Sequence, residues 1–287
     1  MNWLLTPFSF EFMQQALTIS LIISVPASVM SCVLVLKGWS LMGDAVSHAV
    51  LPGIVLAHII HLPFALGAFI AGMLCALTTV FLAENSRLKE DTVMGVVFSG
   101  MFALGIFLFN QIETNLHLDQ VLFGNMLGLN WLDVVETAAI TVFVLLFFLI
   151  RVRDIKLYAF DAQHAQVIGI NTRFLHYSLL IMLSLVIVAS MKAVGIILVI
   201  AILIAPGAIA FLLTDRFETM LFIAVAIGSI CSTLGVFASY HLDSAPAPTI
   251  VVLMTFVFCL VFLFAPRNGV LRNKQHLNTV DSQPARN

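Results

Sequence analysis

Apolar runs of about 17–25 residues, each long enough to cross a bilayer, follow one another along this chain with short polar interruptions. They predict membrane-spanning helices near residues 12–36, 44–60, 64–83, 92–110, 132–150, 175–191, 194–213, 218–240 and 247–265. That is nine spans, with eight to ten as the range, because the second is short and the break from Met191 to Gly195 is tight. Pro26, Gly95, Gly100, Gly105, Pro206 and Gly207 fall inside these runs, as membrane helices allow where neighbours re-satisfy the backbone. The expected fold is all-α, a polytopic transmembrane helical bundle.

One run breaks the apolar pattern. Lys37 to Leu56, KGWSLMGDAVSHAVLPGIVL, carries Asp44 and His48 four residues apart. Helical spacing places both side chains on one face, one turn apart. Gly43, Ala45, Ser47 and Ala49 around them are small, so a neighbouring helix or a substrate can approach closely. Pro52-Gly53 is expected to interrupt the helix and loosen carbonyls that must then face protein or a wet cavity. A carboxylate inside a membrane is costly and marks a functional site by default. The other reading is that Asp44 caps a helix and His48 hydrogen-bonds within the bundle.

The basic residues orient the chain. With nine spans and an external N-terminus, twelve of the thirteen Lys and Arg residues fall on the inside and only Lys192 outside. By the positive-inside rule this makes 151–174 and the tail cytosolic and 111–131 external. The start, MNWLLTPFSFEF, lacks the basic n-region of a cleaved signal peptide, so the first span is expected to stay in place. A chain that is 61% hydrophobic and 10% charged has no water-soluble solution. No basic patch interleaved with aromatics points to nucleic acid. Cys32, Cys75, Cys231 and Cys259 all lie in apolar runs and never as C-x-x-C, which reads as small core residues. No G-x-x-x-x-G-K-[ST] loop is present, so any ATP is handled by another subunit.

Two loops are more than connectors. In 151–174, Asp161 to Ile168 reads as a short helix with Asp161 as N-cap and Gly169 as C-cap. Ala162, Ala165 and Ile168 would form a small apolar face suited to docking a cytosolic partner. The outer loop 111–131 clusters Glu113, His117 and Asp119, weak candidates for attracting a cation. His58 and His61 at the outer end of the second span, and His241 and Asp243 further on, are further metal candidates, read first as interfacial packing. The polar tail, residues 267–287, is expected to be a disordered cytosolic extension of the 1–266 transmembrane domain.

Six segments in order resemble one family. They are GDAVSHAVLPGIVLA, EDTVMGVVFSG, VLFGNMLGL, DAQHAQVIGIN, SMKAVGIILVIAILIAPGAIAFLLT and APAPTIVVL, covering roughly residues 10 to 266. Together they are similar to the membrane permease subunits of metal-ion ABC importers for manganese, iron or zinc. The resemblance implies an ABC importer permease fold with no resident cofactor, a divalent metal as substrate, and Asp44 and His48 as its ligands. It implies a helix near Asp161–Asn171, including Asp161, Ala165 and Gly169, that couples to the ATPase. It also implies partners: two cytosolic ATP-binding subunits, a second permease copy or paralogue, and an extracytoplasmic metal-binding protein. The expected location is the bacterial inner membrane, multi-pass. The SHAVLPG form leans towards manganese and iron members. From the residues alone, carboxylate with imidazole suits Mn2+, Fe2+ or Zn2+ and disfavours Cu(I). The competing reading is a secondary cation transporter using Asp44 as proton or metal carrier.

Overall fold

The computed structural model describes residues 10–111, 124, 128 and 130–265, and every regular element within them is helical. In chain order these are α1 (Glu11–Lys37), α2 (Ser40–Ile59), α3 (Phe64–Asn85), α4 (Glu90–Gln111) and α5 (Trp131–Phe160). The short α6 (Ala162–Val167) is followed by α7 (Thr172–Leu213), α8 (Phe217–Leu242) and α9 (Pro246–Phe264). Among the described residues eight helices, all but α6, are long and apolar enough to cross a membrane.

The ninth predicted span is inside α7. A straight helix of its 42 residues would be about 63 Å long, twice the hydrocarbon thickness. The chain instead breaks at Gly195, with φ 70° and ψ 171°, a conformation open to glycine. The first half starts at the C-terminal end of α5, where His176 meets the Tyr158 hydroxyl. The break lies at the opposite end of α5, where Lys192 pairs with Asp133. The second half returns, with Gly207 against Ser31 of α1, and the chain then enters α8, where Glu218 pairs with Lys156. The two halves therefore run antiparallel and make the sixth and seventh crossings. One end of the bundle collects Lys37, Arg87, Lys89, Arg151, Arg153, Lys156, Arg173 and Arg216; we call it the basic end.

Two boundaries differ from expectation. α2 begins at Ser40 and runs unbroken through Pro52-Gly53 to Ile59, so the predicted interruption does not occur. α5 continues ten residues past the expected end at 150, to Phe160. The segment RVRDIKLYAF holds no breaker, Arg151 pairs with Asp154 at i,i+3 (2.9 Å), and Ile155, Tyr158 and Ala159 bury one face.

α1 is the centre of the bundle and packs along α7, α8 and α5. Its tight contacts with α8 and α7 are made through small residues. Ser28 faces Gly228 of α8, and Ser31 faces Gly207 of α7, the small-residue contact that brings membrane helices together. Ser31 also bridges α7 on either side of Pro206. Its hydroxyl donates to the Ile204 carbonyl (3.0 Å) and accepts from the Gly207 N–H (2.9 Å). Ser31→Ala keeps the residue small and removes both hydroxyl contacts, so it should cost about 1–3 kcal/mol. A lower melting temperature in detergent is the expected result; unchanged melting would show that the bridge carries no stability.

Large apolar side chains face outward all round the bundle, among them Leu74, Phe107, Leu149, Phe222 and Phe256. Water would not tolerate this surface, and a bilayer requires it. Cys32, Cys75 and Cys231 are buried and unpaired, as expected of core residues, but Cys259 is exposed. In lipid an outward position is as apolar as the core, so the run around Cys259 could not reveal which way it points.

Candidate functional site

α2 is almost completely buried: Ala45, Val46, Ala49 and Val50 are at most 1% exposed. Asp44 and His48 are the exceptions in this stretch, with 31% and 26% of their side chains accessible. They lie with Leu41 and Leu56 along one stripe at helical spacing. His48 Nε2 is 3.3 Å from Asp44 Oδ1, so the i,i+4 geometry brings the imidazole and carboxylate together on a surface this chain leaves uncovered. Asp44 sits about 6 Å along the axis from the start of α2, and His48 about 12 Å.

Three features shape the pair. Pro52 has no N–H, so the carbonyl of His48, four residues earlier, lacks its usual helical donor. The helix stays continuous because the chain packs tightly there: Gly105 of α4 seats against Pro52, and Gly53 meets Gly67 of α3 backbone to backbone. The His48 ring rests against two aromatic rings of α4, 5.1 Å from Phe102 and 6.0 Å from Phe98, and its Nδ1 is buried without a hydrogen-bond partner. Ser47, a possible extra ligand by sequence, is fully buried with its hydroxyl donated to the Gly43 carbonyl (2.6 Å). It does not join the pair.

The other candidates are not drawn to this site. His58 stacks on Phe64 with ring centroids 5.9 Å apart, and His61, with φ 57°, lies in the turn after α2. His58 lies ten residues, about 15 Å of helix, beyond His48. His241 places Nδ1 3.0 Å from the Phe237 carbonyl, and Asp243 caps α8 in the left-handed region. Glu113, His117 and Asp119 lie outside the described residues, as does the tail. Among the described residues no three His, Cys, Asp or Glu side chains come close enough to hold a metal together. The described residues offer a pair of side chains, Asp44 and His48.

At the basic end, Asp161 caps α6 as expected, accepting the His164 N–H at 2.8 Å. Gly169, with φ 92°, turns the chain away. Ala165 is buried against the bundle, but Ile168 and Val167 are 59% and 84% exposed. The predicted Ala162–Ala165–Ile168 face is thus divided: α6 ends at Val167, so Ile168 leaves the inner face and points outward with its neighbour. A cavity of about 410 Å³ beside it is lined by Arg151, Asp154, Gly169, Asn171 and Phe174, among others.

Residues 9–265 match the ABC 3 transport family. The chain belongs to that family. Its relatives include the chelated iron transport system membrane protein YfeD of Yersinia pestis, 51% identical over 90% of this chain and 87% of the relative. The manganese transport system membrane protein MntB of Synechocystis is 43% identical over 94% and 88%. The fold is similar to that in the structure of PsaBC from Streptococcus pneumoniae in complex with Fab, with TM-score 0.84, 36% identity and 92% and 96% coverage. As a member of the ABC 3 transport family this chain is a multi-pass membrane permease of an ABC transport system, and family membership favours that over the secondary cation transporter. Sequence reading missed Phe98 and Phe102. Their i,i+4 spacing, the same as that of Asp44 and His48, was the one available signal, among 24 Phe residues.

Proposed function

We propose that this chain is the transmembrane subunit of an ATP-driven importer carrying a divalent transition metal, Mn2+ or Fe2+, across the bacterial cytoplasmic membrane. One observation carries the reading: a carboxylate and an imidazole 3.3 Å apart on the accessible stripe of an otherwise buried membrane helix. Facing lipid, that stripe would be costly. Facing an equivalent stripe of a second permease, it becomes a site of two carboxylates and two imidazoles, with the His48 carbonyl near at hand. That oxygen and nitrogen set suits Mn2+ and Fe2+. The cation neutralises carboxylates that would otherwise repel each other in low dielectric. Two side chains per subunit hold the ion without encaging it, so it can leave. The manganese and iron systems of the relatives support the choice of substrate.

ATP hydrolysis belongs to cytosolic ATP-binding subunits, and an extracytoplasmic metal-binding protein delivers the ion. In this reading α6 contacts the ATPase: its exposed Val167 and Ile168 supply an apolar contact on a short, capped helix. Asp161→Lys removes the cap, worth about 1 kcal/mol, and reverses the charge, while Gly169→Pro forbids the left-handed turn. Both should leave an inserted permease that loses most of its uptake, and normal uptake in both would reduce the loop to a connector. The reading as a whole is tested by uptake of radiolabelled Mn2+ in cells lacking this subunit. Wild-type chain should restore uptake, Fe2+ should compete, and ATP depletion should stop it; uptake that persists without ATP would favour a secondary transporter.

A further inference from the structure

The stems of the α6 loop are tied to the foot of the helix that carries Asp44 and His48. Tyr158, near the end of α5, and His176, in the first turns of α7, meet across the loop with Tyr158 Oη 2.9 Å from His176 Nδ1. His176 in turn packs edge-on against Trp39, with ring centroids 4.8 Å apart and planes at 88°. Trp39 is the residue immediately before α2, five positions from Asp44. Lys37 closes the group, its Nζ 4.0 Å from the centre of the Tyr158 ring and 5.4 Å from that of Trp39. Tyr158 and Trp39 are 5% and 6% exposed, so neither can yield without moving its neighbours.

The second observation concerns His176. Its other nitrogen, Nε2, is buried without a hydrogen-bond partner, an arrangement that costs free energy. Beside the ring is a cavity of about 280 Å³ whose lining includes the carboxylates Glu84 and Glu90. The ring therefore has an unmet bond, space to move and acceptors to move towards. Two alternative arrangements of one packed element are what coupling between distant sites requires.

We propose that Trp39, Tyr158 and His176 form the link that passes a displacement of the α6 loop to α2, and so sets the opening of the Asp44–His48 site. They are positioning residues, and none touches the ion. The proposal rests on the reading of α6 as the ATPase contact and of Asp44 and His48 as ion ligands. The opposing account is that these aromatics only anchor the bundle at the membrane surface.

The complete transporter, with its ATP-binding subunits, is reconstituted in proteoliposomes, and Mn2+ uptake and ATP hydrolysis are measured on the same preparation. Tyr158→Phe, which removes only the hydroxyl, and Trp39→Phe, which keeps an aromatic ring, should leave ATP hydrolysis in place. Ions moved per ATP should fall about 2- to 30-fold, the range over which residues of a coupling network act. His176→Gln should resemble Tyr158→Phe, and the double variant should lose no more than the worse single one, as residues acting in one chain do. An unchanged ratio in Tyr158→Phe and Trp39→Phe, with both activities falling together or neither falling, overturns the link. Asp44→Asn is measured in parallel. If it transports normally, the ion-site reading has failed; if it is inactive while the ratio holds in the aromatic variants, only the link has failed.

Discussion

Asp44→Asn should abolish metal uptake while the permease stays in the membrane at wild-type abundance. Asparagine has nearly the same volume and still presents an oxygen, so α2 has no reason to unfold. What disappears is the negative charge that offsets a divalent ion where the dielectric is low. Even at an effective dielectric of about 20, a single charge pair at contact distance is worth about 4 kcal/mol, which corresponds to roughly a thousandfold in occupancy. His48→Ala should be equally inactive, because it removes the nitrogen ligand and leaves a gap against Phe98 and Phe102. His48→Cys should retain part of the uptake and shift preference from Mn2+ towards the softer Zn2+ and Cd2+. The measurement is initial uptake at matched expression, with each metal as competitor. If the pair were only structural, asparagine could cap and hydrogen-bond as aspartate does, and Asp44→Asn would transport. That result would remove Asp44 from the ion path and the proposed mechanism with it.

Gly53→Val should prevent the permease from folding to a stable state, a larger effect than any other single change expected within α2. A Cβ placed at Gly53 would stand 2.1 Å from the Gly67 carbonyl oxygen, and one at Gly67 would stand 2.2 Å from the Gly53 oxygen. These are backbone atoms of α2 and α3, so no side chain can swing aside. The helices must separate, taking the packing around Ala57 and Ala71 with them. Overpacking a tight core usually costs about 1–3 kcal/mol, and here two helix backbones collide, so the upper end or beyond is expected. Gly95→Ala is the matched control: nothing lies within 4 Å of a Cβ there, and alanine should be neutral or gain up to about 1 kcal/mol in helix propensity. Yield of monodisperse protein and melting in detergent would separate the two. A well-folded Gly53→Val would mean that the contact with α3 is not essential to the bundle.

Much of this architecture was legible in the chain because a bilayer makes length and polarity nearly decisive. Each crossing must be a helix of about 20 apolar residues, so the spans could be marked without knowing their neighbours. The i,i+4 spacing put Asp44 beside His48, and Asp161 and Gly169 announced α6 through capping chemistry that acts within one turn. Tertiary structure decided what lies beyond that range. Pro52-Gly53 reads as a break, yet packing of Gly105 on Pro52 and of Gly67 on Gly53 keeps α2 whole. The tight break at Met191–Gly195 was legible as a boundary between two spans, but not the single left-handed residue, Gly195, at which the chain turns. In an apolar chain hydrophobicity does not distinguish core from lipid, so nothing local showed that Cys259 would face outward, that Ile168 would leave the α6 face, or that Phe98 and Phe102 would flank His48. The same is true of Trp39, Tyr158 and His176: they are far apart in sequence, and only the antiparallel return of the helices at the basic end brings three ordinary interfacial residues into one contact.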